Sequence, residues 1–131
     1  MDRRLSEKER RYLVHARVCR VASVDRQGVT HVAPLCHAFD RSSRTAYVWT
    51  GGMTAQNLRV RPRGAIVCDD YFENWDRLRG IVAHVRAKEI RRGAELERAR
   101  RLLQRKFKQY RGEEIGVVLA LRVERATSWG I

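Results

Sequence analysis

The chain has 131 residues, of which 44% are hydrophobic, and this predicts a single domain over residues 1–131 with a core of its own. The formal net charge of +13 favours anionic ligands, but only four of the 28 basic residues are lysines, so the arginine excess can equally reflect a GC-rich genome. Three cysteines without CxxC spacing argue against a disulfide framework, and the absence of an apolar leader or a membrane-length apolar run predicts a cytoplasmic protein.

The first half of the chain predicts one helix followed by a meander of three strands. Ser6 and Glu9 form a capping-box pattern, which predicts that a helix begins in the segment LSEKERRYLVHA. The β-branched segments that follow are separated by short polar turns and predict strands at Val18–Val24, Val29–Phe39 and Thr45–Thr50. Pro34 lies inside the second strand, and because proline cannot donate to a ladder it predicts an edge, a bulge or interrupted pairing.

The second half predicts two more helices and three more strands. A short helix follows Gly51 and Gly52, and the segment GAELERARRLLQRKFKQY has apolar residues at helical spacing. The predicted strands are Gly64–Tyr71, Leu78–Ile90 and Gly116–Gly130, with Trp75 read as a buried residue of the intervening loop. Strands in runs, with helices between only some of them, predict a mainly β fold with peripheral helices (α+β), a six-stranded antiparallel barrel.

The segment YVWTGGMTAQNLRVRPR carries the first candidate for binding chemistry. Two glycines between a strand and a helix let the backbone approach a ligand, and the helix start offers free N–H groups to a phosphate. Thr50 and Thr54 add hydroxyl groups, and arginines follow at 59, 61 and 63. The pattern is neither GxGxxG nor a P-loop, and a simple turn on a basic surface explains it as well.

Other reactive side chains give weaker patterns. His31 and His37 are about 20 Å apart along one strand, which excludes a shared metal ion, so no metal site is predicted. Cys36 has no local base because His37 points to the opposite face, and a buried thiol is the simpler interpretation. Asp69 and Asp70 also face opposite ways and are expected to form ion pairs with Arg77 or Arg79.

The long third helix and the aromatic residues each allow two interpretations. The charged side of the helix, with Arg98, Arg101, Arg105 and Lys108, is expected to be solvated, although it could contact a polyanion. Aromatic rings at strand ends and loops are expected in the core or at a dimer interface, although a planar cofactor would use the same rings: Trp49, Tyr71, Trp75 and Trp129.

Several segments together resemble one family. RVASVDRQGVTHVAPLCHAFD, AYVWTGGMTAQNLRVRPRGAIVCDDY, ENWDRLRGIVAHVRA and LALRVERATSWG occur in the order seen in pyridoxamine 5'-phosphate oxidase-like split β-barrel proteins. The resemblance covers nearly the whole chain and is greatest to the branch of small flavin- or deazaflavin-dependent enzymes. It implies a homodimer with a cofactor groove at the subunit interface.

The resemblance also assigns site residues. The second strand of the hairpin would line the flavin ring, with His31, Val32, Ala33, Pro34, Leu35 and Cys36. The end of the third strand and the following turn would receive the phosphate, with Trp49, Thr50, Gly51, Met53, Thr54 and Ala55, and Arg59 as a nearby cation. Relatives usually carry a lysine where this chain has Thr54, so the usual charge is missing at that position.

The resemblance therefore implies an FMN-binding oxidoreductase that acts on a small molecule of unknown identity. No catalytic side chain is nominated, because the flavin would perform the hydride chemistry. The alternatives are a deazaflavin-dependent reductase on the same fold and a cofactor-free or polyanion-binding barrel, and haem binding is a more remote one. Neither a membrane nor nucleic acid is an expected partner.

Overall fold

The helices and strands form in the order that the sequence predicts. The computed structural model describes residues 5–112 and 116–131. Its helices are α1 (Glu7–His15), α2 (Gly52–Val60) and α3 (Ala94–Lys106), with single turns of 3-10 helix at Trp75–Arg77 and Lys108–Tyr110. Its strands are β1 (Val18–Val24), β2 (Thr30–Asp40), β3 (Thr45–Thr50), β4 (Arg63–Asp70), β5 (Arg79–Ile90) and β6 (Val117–Trp129).

The strands close into an antiparallel barrel in the order β1-β2-β3-β6-β5-β4, which confirms the predicted fold class. Strands β5 and β6 form a long antiparallel pair, from Gly80 opposite Trp129 to Ile90 opposite Val118, with one bulge between His84 and Val85. The six-residue strand β3 pairs along its whole length with β6. None of the helices in the described residues is long and apolar enough to cross a membrane.

Two apolar clusters hold the barrel and its helices together. Inward-facing side chains such as Val21, Ile66 and Leu121 are fully buried and fill the barrel interior. The predicted stripe of α3 is also confirmed, because Leu96, Ala99, Leu103 and Phe107 cover the outer face of β3 and its neighbours. The helix therefore serves as packing on one outer side of the barrel and leaves its charged side in solvent.

The first helix starts as the sequence predicts and closes one end of the barrel. The Ser6 side chain accepts from the Glu9 N–H at 3.1 Å, and the Glu9 carboxylate accepts from the Ser6 N–H at 2.8 Å. The buried Leu13 of this helix joins the barrel core, and its carbonyl lies 2.9 Å from Nε2 of His37 in β2. This contact joins α1 to the middle of the sheet.

Two expectations from the sequence are corrected or refined. Trp75 is 71% exposed, so its assignment as a buried residue is wrong: it sits on a 3-10 turn outside the barrel. Its indole N–H is 3.3 Å from the Tyr71 hydroxyl, so the two rings pair on the surface. Asp70 does bind Arg79, at 3.0 Å, whereas Asp69 binds Arg20 of β1 at 3.3 Å rather than Arg77.

Pro34 marks the place where the barrel splits. Strand β2 pairs with β1 from Thr30 to Cys36, with Pro34 opposite Arg20, but it pairs with β3 only from His37 to Asp40. Over Thr30–Cys36 one edge of β2 therefore has no strand partner in the described residues. This confirms the interrupted pairing that the proline predicts, because a residue without an N–H is tolerated only where no ladder donor is needed.

The barrel is closed by a short contact between β1 and β4. Three residue pairs join these strands, from Arg20 opposite Val67 to Ala22 opposite Ala65. Gly64 follows at the end of this contact, where a Cβ would lie 2.5 Å from the Ala22 carbonyl oxygen and 3.3 Å from Leu58. Only a residue without a side chain allows the two strands to meet here.

We expect Gly64→Ala to lower the free energy of unfolding by about 1–3 kcal/mol, because the added methyl group must push the β4 backbone away from β1. Urea unfolding followed by circular dichroism measures the change. Gly51→Ser is the control, since a Cβ at Gly51 meets no atom closer than 3.8 Å. Equal stability of Gly64→Ala and the wild type would show that β1 and β4 can move apart at this contact without loss of stability.

Candidate functional site

The strand assigned to the flavin ring presents an open edge and one exposed face. Val32 is 62% exposed and Pro34 is also exposed, whereas His31, Ala33 and Leu35 are partly buried. Cys36 is partly buried and packs toward α3. Because strand side chains alternate, one face of β2 here turns inward and the other outward, while alternate backbone N–H and C=O groups point to the unpaired edge.

The turn assigned to the phosphate presents an uncapped helix start. Gly51 is the N-cap of α2, and as a glycine it has no side chain that could cap the helix. Gly52 has φ 72°, a left-handed conformation that favours glycine, and a Cβ there would meet no atom within 4 Å. Thr50, Thr54 and Ala55 are buried, whereas Met53 is 51% exposed. The first N–H groups of α2 are therefore approached past glycine rather than past a bulky side chain.

A buried hydrogen bond fixes the position of α2. The Asn57 side-chain amide donates to the Ser23 hydroxyl of β1 at 3.1 Å, and both residues are almost completely buried. The helix packs against β1, β2 and β5, and is thus fixed next to both strands of the predicted hairpin.

The predicted cation of the site is engaged elsewhere. Arg59 donates to the Glu89 carboxylate through Nε at 3.1 Å and through an NH2 group at 2.7 Å. These hydrogen bonds, more than the nearby charges, hold the pKa of Glu89 below its usual range. Arg61 and Arg63 likewise contact the Arg26 carbonyl and the Glu124 carboxylate. None of these three contacts points to the start of α2.

A cation that the sequence analysis missed lies closer. A cleft of about 320 Å³ separates the β1–β2 turn from the exposed side of α2, and its lining includes Arg26, Met53 and Gln56. Asp25 also lines the cleft, but its carboxylate accepts from the Gln27 and Val29 N–H groups at 2.8 and 2.9 Å. No sequence pattern shows that the hairpin turn folds close to α2. This proximity is what makes Arg26 a candidate residue of the phosphate-binding site.

Trp49 is enclosed by its own chain. The ring is 4% exposed, and it stacks on Tyr110 with 5.3 Å between centroids. The guanidinium of Arg100 lies 5.5 Å from the Trp49 centroid. The side chain therefore supports the site from beneath α3, while the backbone beyond Thr50 reaches the surface.

The histidines form no metal site with the acidic residues or thiols, because the described residues contain no group of three or more such ligands. His37 is fully buried, and its Nε2 donates to the Leu13 carbonyl, 2.9 Å away, because a carbonyl oxygen can only accept. Its Nδ1 has no partner among the described residues. Burial, reinforced by the Lys106 charge, lowers the pKa of His37 to about 4.

Two of the three cysteines, Cys19 and Cys68, are buried thiols. Burial raises the pKa of Cys19 far above its usual range and that of Cys68 to about 12. Lys106 is a charged group that acts on both thiols, and its Nζ donates to the Val14 and Ala16 carbonyls at 3.1 and 2.5 Å. Desolvation lowers the pKa of Lys106 to about 8. This ammonium group caps the carboxyl end of α1, so its role is to stabilise the fold.

The stability of the protein should fall in acid because of His37. The unfolded chain takes up a proton near pH 6.5 and the folded chain only near pH 4, so stability is lost as the pH falls through that window, by about 3 kcal/mol. His37→Gln keeps an amide donor for Leu13 but cannot be protonated. Urea unfolding at pH 7 and pH 4.5 should show a smaller loss for this variant, and an equal loss would contradict the assignment.

A larger cleft has none of the predicted site residues in its lining. It measures about 780 Å³ and runs between α1 and the adjoining ends of β1, β4 and β5. At its wall the Tyr12 hydroxyl donates to Asp70 at 2.8 Å, and burial is the main cause that raises the pKa of Tyr12. Arg79 donates to the same carboxylate oxygen at 3.0 Å, so Asp70 has both an ion-pair partner and a hydroxyl donor, while Asp69, the other acidic residue of the lining, pairs with Arg20.

Comparison with known proteins identifies the family. The sequence profile of the family described as pyridoxamine 5'-phosphate oxidase matches residues 5–130. The chain belongs to this family. Among proteins with curated descriptions, none matches the sequence.

Solved structures of family-like barrels share the fold at low sequence identity. A conserved hypothetical protein of Mycobacterium tuberculosis superposes with a TM-score of 0.81 at 20% identity, covering 95% of this chain and 84% of that one. The haem storage protein of Vibrio cholerae gives 0.73 at 16%, covering 96% and 94%. An FAD-binding protein of Mesorhizobium loti gives 0.72 at 19%, covering 95% and 92%. These likenesses establish the fold.

The residues of this family member fit the backbone part of a flavin site. The glycines leave the N–H groups of α2 open, and the unpaired edge of β2 supplies further donors and acceptors beside an exposed apolar face. The basic side chain is the part that differs, because Thr54 is buried and Arg59 binds Glu89. Any phosphate held here therefore depends on main-chain donors and on Arg26 or a partner subunit.

Proposed function

We propose that this protein is a homodimeric FMN-binding oxidoreductase that acts on a small molecule. The observation that carries the proposal is the open edge of β2, and the start of α2, where the N-cap is a glycine, supports it. A flat, polar-edged ring needs backbone donors and acceptors on one side and apolar contact on its face, and a phosphate needs free N–H groups. The open edge of β2 offers the first kind of group and the start of α2 the second, which supports the proposal.

Each part of the site has a separate role in this proposal. Bound flavin would supply hydride transfer. Backbone groups along His31–Cys36 would orient the ring, and Val32 and Pro34 would exclude water from one of its faces. The first N–H groups of α2, after Gly51, would hold the phosphate. The partner subunit would close the other side of the groove, since one chain leaves it open.

Dimer formation is supported by the distribution of exposed apolar side chains. Val29 and Val32 of the β1–β2 hairpin are both 62% exposed, and Met53 and Val60 of α2 are 51% and 45% exposed. These residues lie on the elements that form the proposed groove. A monomer would leave this apolar surface in water, and a second copy would bury it.

We expect Val32→Glu to dissociate the dimer, because it places a charge in an apolar interface. Light scattering coupled to size-exclusion chromatography measures the mass. Thr127→Glu, at an exposed position of β6, is the control and should remain dimeric. A dimer that survives Val32→Glu would place the interface elsewhere.

The phosphate role is tested by a charge added at the start of α2. Gly51→Asp and Gly51→Asn both provide an N-cap oxygen, but only aspartate adds a negative charge. Quenching of FMN fluorescence should give a dissociation constant about tenfold higher for the aspartate variant, or about 1.4 kcal/mol. Equal affinities would mean that the phosphate binds elsewhere, and no FMN binding by the wild type would refute the proposed function.

A deazaflavin coenzyme is the second candidate for the same groove. Its long acidic tail would suit a chain with a net charge of +13. Parallel titrations with FMN and a deazaflavin distinguish the two. A tighter complex with the deazaflavin would keep the groove and change the cofactor.

Haem is the third candidate, because proteins described as haem-storing or haem-binding share the fold. His37 is enclosed and hydrogen-bonded, so His31 is the histidine of the proposed groove that could serve as a ligand. The visible spectrum of the protein as isolated separates haem from flavin. A colourless protein that binds neither would leave a cofactor-free barrel.

A further inference from the structure

A row of arginines crosses the outer face of the barrel on three neighbouring strands. In the sheet register Arg63 of β4 is opposite Arg86 of β5, and Arg86 is opposite Arg122 of β6. All three side chains are exposed. Like charges directly opposite each other on paired strands destabilise a sheet, so the packing of the barrel does not account for this row.

The middle of the row is not neutralised by its surroundings. Arg63 donates to the Glu124 carboxylate at 3.1 Å. Within residues 5–112 and 116–131, Arg86 and Arg122 make no hydrogen bond and no ion pair. The pair therefore keeps two guanidinium groups in water on adjacent strands, about 4.8 Å apart at the backbone.

These arginines form part of a long basic groove. Arg86 and Arg122 line a cleft of about 680 Å³ whose walls carry five basic side chains and one acidic one. Pro62 and Arg86 continue into a second cleft of about 540 Å³, and Arg63 links that cleft to a third of about 340 Å³. We call the three together the arginine groove, and its cations include Arg63, Arg86, Lys88, Arg98 and Arg122.

The carboxylates of the arginine groove are already engaged. Glu95 binds Lys88 at 3.2 Å and also accepts from the Tyr47 hydroxyl at 2.9 Å. Glu124 is the partner of Arg63. The acidic groups thus neutralise Lys88 and Arg63, whereas Arg86 and Arg122, like Arg125 of the third cleft, have no carboxylate partner among the described residues.

We propose that the arginine groove binds the phosphodiester backbone of nucleic acid. The groove passes over β4, β5 and β6, which suits a chain of evenly spaced anions better than a single small anion. No phenylalanine, tyrosine or tryptophan side chain lines the three clefts among the described residues. The groove therefore offers no ring for a base to stack on, and recognition is of phosphates without regard to sequence.

The Arg86–Arg122 part of the arginine groove lies apart from the proposed flavin site, although the second cleft shares Val60 with the cleft at Arg26. Strand β3 begins at Thr45, which lines the groove, and ends at Thr50 beside the proposed flavin site, about 17 Å away. The charged side of α3, which the sequence offered for a polyanion, contributes Arg98 but not Arg101 or Arg105 to the groove lining. Failure of FMN binding and failure of nucleic-acid binding can thus be observed separately.

The test compares two double variants of the full chain with the same change of charge. Arg86→Gln/Arg122→Gln removes the centre of the groove, and Arg101→Gln/Arg105→Gln removes two exposed arginines of α3. Fluorescence anisotropy with labelled oligonucleotides of about 20 nucleotides, single-stranded and duplex, is measured between about 50 and 200 mM salt.

We expect the groove variant to bind about tenfold more weakly than the wild type at the lower salt concentration. The slope of log K against log salt should fall by about 1.4 to 1.8, which corresponds to two phosphates, while the α3 variant keeps the wild-type slope. The two oligonucleotides show whether single strands or duplexes fit better, and binding of either supports the proposal. Equal losses in the two double variants would overturn it, as would no binding by the wild type.

Two further measurements distinguish nucleic-acid binding from a stabilising role of the arginines and from a small-anion site. The groove variant should melt at or above the wild-type temperature, because the cross-strand repulsion has been removed. A lower melting temperature would mean that the two arginines stabilise the sheet and would overturn the argument. Inorganic pyrophosphate at constant ionic strength should leave most of the oligonucleotide bound, and complete displacement would assign the groove to a small phosphate compound instead.

Discussion

Closure of the sheet between β1 and β4 is the constraint on which the rest of the architecture depends. The contact consists of three residue pairs and ends where Gly64 lies against the Ala22 carbonyl. The hydrogen bond from Asn57 of α2 to Ser23 of β1 lies next to this seam, so closure also fixes α2. The short contact between β1 and β4, which requires a glycine at position 64, therefore also determines the position of α2 and of its solvent-exposed first turn.

The same closure explains why the opposite side of β1 carries the candidate site. Strand β2 follows β1 as far as Thr30 but leaves β3 beyond His37, and Pro34 lies in the separated part. The barrel interior remains filled because α1 covers its end through Leu13. The proposed site uses the unpaired edge of β2, the exposed side chains beside it and the start of α2, where Thr54 provides no basic group.

The structure separates the arginines of the chain into those with carboxylate partners and those without one in the described part of the chain. Some arginines have structural partners, such as Arg59 with Glu89 and Arg79 with Asp70. Others, such as Arg86 and Arg122, are placed opposite each other across two strands and remain in water. Composition alone favours any anion, whereas the register concentrates uncompensated charge in one groove.

The sequence by itself determined the helices and strands, because capping, turn residues and apolar periodicity are local properties. The capping box at Ser6, the approximate strand limits and the apolar stripe of α3 follow from it. Pro34 indicated that pairing along β2 is irregular. Tertiary structure decided what distant residues do. Trp75 is exposed and Arg59 pairs with Glu89, because the burial of a side chain and its ion-pair partner depend on residues that are far apart in the sequence. Tertiary structure also brought Arg26 to α2 and aligned the arginines of β4, β5 and β6, since strand register depends on how the whole barrel closes.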